Sequence, residues 1–245
     1  MESKLKARRW DIADLFSAAW QLYNQHFSDI LWIMLCVYVP VNLVVALLPV
    51  DWELPGVIPA EAQLSLNFAL FLEFFVGIIA TIALAVLVEH AIQEEPLSWH
   101  GALRYGLARW LPAVVTELLA ALIIMGLTFL LIIPGIIWAF YYAFVVYGVA
   151  LRPVSGRRAL AYSKGLVQGQ WWRVCGILLA TSLIGQLALL VITGLLTLIA
   201  DNPVADFIIN SVADVVGAFF LVVTVLFFLN TDYLKQKEVV EPAVD

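Results

Sequence analysis

The sequence predicts an all-α polytopic membrane protein, with six transmembrane helices and three amphipathic interfacial helices in a single domain over residues 1–245. Three observations predict it. Of the 245 residues, 63% are hydrophobic and 13% charged, with a mean hydropathy of +0.96; soluble domains hold about 45–50% apolar and about 25% charged residues. That surplus does not fit one aqueous core. Six stretches are apolar enough, and long enough, to approach the roughly 20 helical residues that cross a hydrocarbon layer of about 30 Å. Finally, all 13 lysines and arginines fall at every second connection between those stretches, which is how membrane proteins keep cations in the cytoplasm. Both termini are therefore expected in the cytoplasm.

Residues 1–10 are polar and basic, and the helix after them is amphipathic, so no cleavable signal peptide is expected. The spans follow at 30–50, 66–88, 111–133, 136–151, 174–200 and 205–229. The fourth is short, covering only about 24 Å. Residues 111–151 cannot be one helix, because that helix would be roughly twice the bilayer thickness. Pro134-Gly135 is the expected corner, since proline cannot continue the hydrogen-bond ladder and glycine tolerates a tight reversal. Arg152 is expected to snorkel toward the headgroups and so let the short span reach the surface.

The outer connections hold Asp51, Glu53, Glu61 and Asp201 and no base. All nine tryptophans fall near expected boundaries, in keeping with the preference of indole for the headgroup level. Trp32, Trp52, Trp110, Trp138, Trp171 and Trp172 mark span ends, and Trp10, Trp20 and Trp99 lie in the inner flanks.

Those flanks carry a repeated pattern. Residues 11–28, 98–110 and 155–171 each show one apolar helical face, and each opens with an N-cap residue, Asp11, Ser98 or Ser155. One reading is a threefold unit of interfacial helix plus transmembrane hairpin; the other is that amphipathic inner loops arise in any polytopic protein, and the likeness is coincidence. In the first, Arg104, Arg109, Arg157, Arg158, Lys164 and Arg173 meet anionic lipid headgroups.

The run Ile133-Pro134-Gly135-Ile136 with Trp138, followed by Ala159-Leu160, Ser163, Leu166, Gly169 and Trp171-Trp172-Arg173, resembles the signature of the membrane domain of glycerophosphoryl diester phosphodiesterases. Stand-alone prokaryotic membrane proteins share that signature. The N-terminal amphipathic helix also suits the group, so the resemblance covers most of the chain. Members often carry a base where this sequence has Tyr162. The resemblance implies a six-span protein of a prokaryotic cytoplasmic membrane. It does not imply hydrolysis, because that chemistry belongs to an attached barrel domain for which the 245 residues leave no room.

Chemistry within the membrane falls to the ionisable residues in the spans: Glu73, Asp214 and, near an inner end, Glu117. An acid at mid-membrane costs about 2.5–3.5 kcal/mol on insertion scales, so it is expected to face protein or water. Glu73 shares a helical face with Ala69, Gly77, Thr81 and Ala85, and Asp214 shares one with Asn210, Gly217 and Thr224. Small residues let helices approach closely, so both acids are expected inside the bundle. They serve either as protonated packing contacts or, with Asn210 and Gln186, as a proton- or cation-coupled site.

Other chemistry finds little support. Cys36 and Cys175 read as small buried hydrophobes, not a disulfide. Glu89, His90, Glu94, Glu95 and His100 match no standard metal spacing, and no nucleophile has a histidine and acid in a recognisable order. No metal, cofactor, nucleic acid or enzymatic activity is expected. The function expected is a non-enzymatic membrane protein that organises lipid or holds a partner, either another membrane protein or a second copy of the chain. A small proton- or cation-coupled transporter or transporter subunit is the alternative.

Overall fold

The computed structural model describes residues 1–46, 60–199 and 202–240, and every regular element among them is an α-helix. Two short helices, α1 (Glu2–Ala7) and α2 (Ile12–Gln25), lead into α3 (Phe27–Ala46), α4 (Ala60–Gln93) and α5 (Trp99–Leu130). Next come α6 (Ile132–Tyr141), α7 (Val145–Leu151), α8 (Arg157–Val167), α9 (Trp171–Thr197) and α10 (Pro203–Val240). Six segments are long and apolar enough to cross a membrane, drawn from α3, α4, α5, α6 with α7, α9, and α10. The chain is a multi-pass membrane protein of all-α fold. The expected outer-loop positions Asp51, Trp52, Glu53 and Asp201 lie outside the described residues.

Local chemistry explains the first elements. Asp11 caps α2 by accepting the Asp14 N–H at 2.8 Å, while Asp14 accepts the Asp11 N–H at 3.3 Å. The buried stripe Leu15, Ala18, Ala19, Leu22 and Tyr23 follows at helical spacing. It packs on α10, where Phe16 meets Phe219 edge-on and the Tyr23 hydroxyl donates to the Val215 carbonyl at 2.8 Å. α10 is the central post of the fold, packed against α1, α2, α3, α4, α8 and α9. Ala218, Val222, Val223 and the run from Val225 to Leu229 are buried on it.

Long-range contacts bring alternate helix ends together. At one end, Asp29 of α3 accepts the Trp99 N–H that opens α5, and Arg152 after α7 pairs with Glu89 late in α4 and Asp232 late in α10. Arg173, opening α9, donates to the Trp10 carbonyl and to Asn230 at the same end. The opposite end is joined by Asn42 of α3, which donates to Ser211 and Asp214 of α10. The 13 lysines and arginines lie in residues 4–9, 104–109, 152–173 and 235–237, segments that contain or flank these first-end contacts. Arg109 reaches furthest along the bundle, since its neighbours Gly106 and Trp110 meet Ile79 and Phe75 in the middle of α4.

Several boundaries differ from the sequence reading. The segment 98–110 is not a separate interfacial helix but the opening turns of α5, which continues past Pro112 to Leu130. Ser98 caps it as expected, accepting the Gly101 N–H at 3.4 Å. α8 opens behind Gly156, whose φ of 55° suits a residue without a Cβ, so Ser155 is not its cap.

The corner between the third and fourth spans lies at Leu131, in extended conformation, and not at Pro134-Gly135. Pro134 sits in the first turn of α6, where its missing N–H has no helical partner to lose. Gly135 is there for space. A Cβ would lie 2.0 Å from Thr128 Oγ1 and 2.8 Å from Thr128 Cα, so the glycine lets α6 fold directly onto α5.

The fourth span is broken between α6 and α7. Ser163 of α8 repairs the break, accepting the Phe144 N–H at 3.2 Å and donating to the Tyr141 carbonyl at 2.8 Å. Backbone groups freed inside a membrane protein need such partners. Arg152 does not snorkel outward but turns into the bundle, toward two carboxylates. Cys36 is exposed on the flank of the bundle and not buried, and Cys175 is half-buried.

Candidate functional site

Glu73, Asn210 and Asp214 line one cavity of about 430 Å³ between α3, α4 and α10, with Leu189 of α9 completing the wall. Glu73 stands at its exposed rim, and Asp214 is half-buried. The Asn42 side chain, 8% exposed, donates to Asp214 Oδ2 at 2.7 Å and reaches Ser211 Oγ at 3.4 Å. Tyr38 lies one turn earlier on the same face of α3 and lines the cavity too. The small residues of the expected stripes admit this arrangement. Ala69 and Gly217 line the wall, and a Cβ on Gly77 would stand 3.0 Å from the Tyr38 hydroxyl.

Two expected members of the site lie elsewhere. Gln186 is exposed on α9 and does not line the cavity, because the buried face of α9 runs through Ile177, Thr181 and Gly185, and Gln186 is rotated about 100° away from Gly185. Glu117 stands apart on α5, half-buried, and its buried Oε2 has no hydrogen-bond partner among the described residues. Sequence reasoning missed Asn42 and Tyr38. The signal was present: one carboxamide in an apolar span, with a phenol four residues before it.

The site so formed has two carboxylates, two carboxamides and a phenol, with no lysine or arginine among its lining residues. Such a set can share a proton or coordinate a cation through its oxygens. Among the described residues no three histidine, cysteine, aspartate or glutamate side chains converge on a metal position.

The basic end divides into outward and inward cations. Arg104, Arg157 and Arg158 are exposed. Arg109 and Lys164 are half-buried and lie over aromatic rings, at 5.8 Å from the centroid of Tyr105 and 4.6 Å from that of Trp138. Arg173, expected at the headgroups, instead spends three donor contacts inside the protein: Gln170 at 3.1 Å, the Trp10 carbonyl at 2.9 Å and Asn230 at 3.2 Å.

A second buried constellation was not foreseen. Arg152 Nε donates to Asp232 Oδ2 at 2.8 Å, its Nη1 donates to Glu89 Oε1 at 2.7 Å, and its Nη2 also pairs with Asp232. The Tyr162 hydroxyl donates to Asp232 Oδ1, and Gln236 donates to Oδ2 at 2.9 Å. Asp232 is 0% exposed. Burial works against the charge on Arg152, but Asp232 and Glu89 outweigh it and raise the guanidinium above its ordinary range. Burial, with the adjacent Asp232 carboxylate, raises the Tyr162 hydroxyl as well. The cluster ties α4, α8 and α10 to the end of α7, which marks it as an architectural lock.

The fold and these sites define the class as an all-α multi-pass membrane protein. No family model, curated protein or solved structure matches the chain.

Proposed function

We propose that this chain is a non-catalytic protein of a prokaryotic cytoplasmic membrane, with both termini in the cytoplasm, that organises anionic lipid or holds a partner at its basic end. The resemblance to the membrane domain of glycerophosphoryl diester phosphodiesterases, without their catalytic barrel, belongs to the same proposal. One observation supports it above the rest: every lysine and arginine falls at every second connection between the apolar spans of the sequence. Arg104 on α5 and Arg157 and Arg158 at the start of α8 are exposed, and Trp172 is 82% exposed. Cations and indoles at one level suit a headgroup layer.

The test is lipid selection. Full-length protein is reconstituted with mixed anionic and zwitterionic phospholipid, and the bound lipid is identified by mass spectrometry. Enrichment of anionic lipid, lowered by combining Arg104→Gln, Arg157→Gln and Arg158→Gln, is the expected result. No enrichment in the unsubstituted protein would overturn the lipid reading.

A second reading rests on the cavity shared by Glu73, Asp214 and Asn210: a proton- or cation-coupled site in the opposite half of the bundle. Proteoliposome flux tests it. Flux abolished by Glu73→Gln and by Asp214→Asn, at unchanged folded yield, supports coupling; folded yield that falls with neutralisation, without any flux, leaves the acids as packing contacts.

A further inference from the structure

Arg9 and Arg173 face one open cleft of about 590 Å³ between the start of α2 and the start of α9. They are near enough for the charge of Arg9 to act on Arg173. Like charges brought together without a bridging acid raise the free energy of the empty cleft and lower it when an anion enters. Among the described residues Arg9 is exposed and has no carboxylate partner. A guanidinium carries five N–H donors. The three hydrogen bonds made by Arg173 leave its Nε–H and one Nη1–H for a ligand. The cleft has one acid, Asp11, which accepts the Asp14 N–H through Oδ1 and pairs with neither arginine, so two positive charges face one negative one. Asp14 in turn is engaged by Arg8 at 2.8 Å.

The backbone adds donors of its own. Ile12 and Ala13, the first two residues of α2, line the same cleft, and their N–H groups have no partner among the described residues. Two free N–H groups at the opening of a helix of 14 residues favour an anion. Farther from the basic end the cleft meets apolar side chains. Ile177 of α9, with Ile12 and Ala13 of α2, lines it, and Phe220 of α10 closes the space beyond the cleft. Phe220 meets Phe16 of α2 at 6.2 Å between ring centroids and packs over Gly185 of α9, where a Cβ would come within 3.2 Å of the ring. A charged mouth over an apolar floor, at the point where α9 starts its span, has the amphipathic profile of one phospholipid.

We propose that this cleft binds the phosphate of an anionic membrane phospholipid through Arg9 and Arg173, with one acyl chain leaving past Ile177 toward the surrounding lipid. The assignment deepens the lipid-organising reading and rests on it. Paired guanidinium groups suit phosphate oxygens better than ammonium groups do, because their donors form a planar fork.

The experiment titrates full-length protein in detergent with phosphatidylglycerol, phosphatidylcholine or inorganic phosphate, reading occupancy by native mass spectrometry. Arg9→Gln is the principal variant, since Arg9 holds no other part of the fold. Lys235→Gln removes the same charge from a position outside the cleft. Arg173→Lys keeps the charge and removes the fork. The expected result is a preference for phosphatidylglycerol that Arg9→Gln weakens about tenfold, the loss of one charge-assisted contact. Arg173→Lys weakens it by a similar factor, and Lys235→Gln leaves it unchanged. Equal weakening by Arg9→Gln and Lys235→Gln overturns the cleft while leaving a diffuse lipid preference intact. No preference for phosphatidylglycerol over phosphatidylcholine in the unsubstituted protein overturns both the cleft and the broader reading. Inorganic phosphate that binds as tightly as phosphatidylglycerol overturns the lipid as occupant.

Discussion

Replacing Arg152 with methionine is the perturbation whose size the structure fixes best. The side chain is 16% exposed and its partners Glu89 and Asp232 are 13% and 1% exposed, so solvent screening removes little of the interaction. Methionine fills much of the same volume and leaves both carboxylates without their cation. Breaking a buried pair by deleting one partner costs about 3–5 kcal/mol. Asp232 keeps the Tyr162 hydroxyl and the Gln236 amide, which places the cost near the lower bound. A loss of about 3 kcal/mol corresponds to about 6–12 °C in Tm for a chain of this size. Thermal unfolding in detergent, followed by the monodisperse fraction on size exclusion, measures it. Adding Glu89→Gln and Asp232→Asn to Arg152→Met is expected to restore much of the loss, because the uncompensated charges are then gone. Arg152→Met alone within about 1 °C of the unsubstituted protein would refute the reasoning, and would return Arg152 to the snorkelling role.

Three further outcomes follow from the same geometry. Gly135→Ala drives a methyl group into Thr128 and is expected to cost about 1–3 kcal/mol or more, whereas Gly126→Ala, with nothing within 4 Å, is neutral or gains about 0.5–1 kcal/mol; unfolding temperatures of the two variants decide it. Tyr162→Phe is expected to cost about 1–2 kcal/mol at neutral pH by removing a hydrogen bond to buried Asp232. The folded-state pKa of Tyr162 is raised, so its contribution is fully present below the unfolded value of about 10 and is lost as pH rises beyond it. The stability gap between Tyr162→Phe and the unsubstituted protein therefore narrows above pH of about 10, and a gap that widens there contradicts the assignment. Asn42→Leu deletes the link from α3 to Asp214 and is expected to lower stability by about 1–2 kcal/mol, while Asp214→Asn, which keeps an acceptor, costs less; folded yield and Tm of both check the order.

The architecture was legible because it depends on sums over many residues. Twenty-residue apolar runs and the sorting of cations survive local errors, and helical periodicity was enough to put Ala69 and Glu73 on one wall and Asn210, Asp214 and Gly217 on the facing one. The caps at Asp11 and Ser98 were legible since they act within three residues. What failed depends on distance. Residues 98–110 have the same 3.6-residue period whether they stop at the interface or run on into the span, so the pattern alone could not show that α5 is continuous. Gly135 resembles a turn residue, yet its role is set by Thr128 on the preceding helix. Arg152 finds its acids 63 and 80 residues away, and no window of sequence contains all three. Gln186 failed because a polar residue in an apolar helix does not by itself say which neighbour that face meets.

Sidedness is the claim on which the proposed function depends, and thiol accessibility measures it directly. In a background of Cys36→Ser and Cys175→Ser, single cysteines are introduced as Lys6→Cys, Arg157→Cys, Lys237→Cys and Gln63→Cys, and intact cells are treated with a membrane-impermeant maleimide. The account predicts labelling of Gln63→Cys in intact cells, and labelling of the other three only after permeabilisation. Labelling of Lys6→Cys and Arg157→Cys from opposite sides contradicts it.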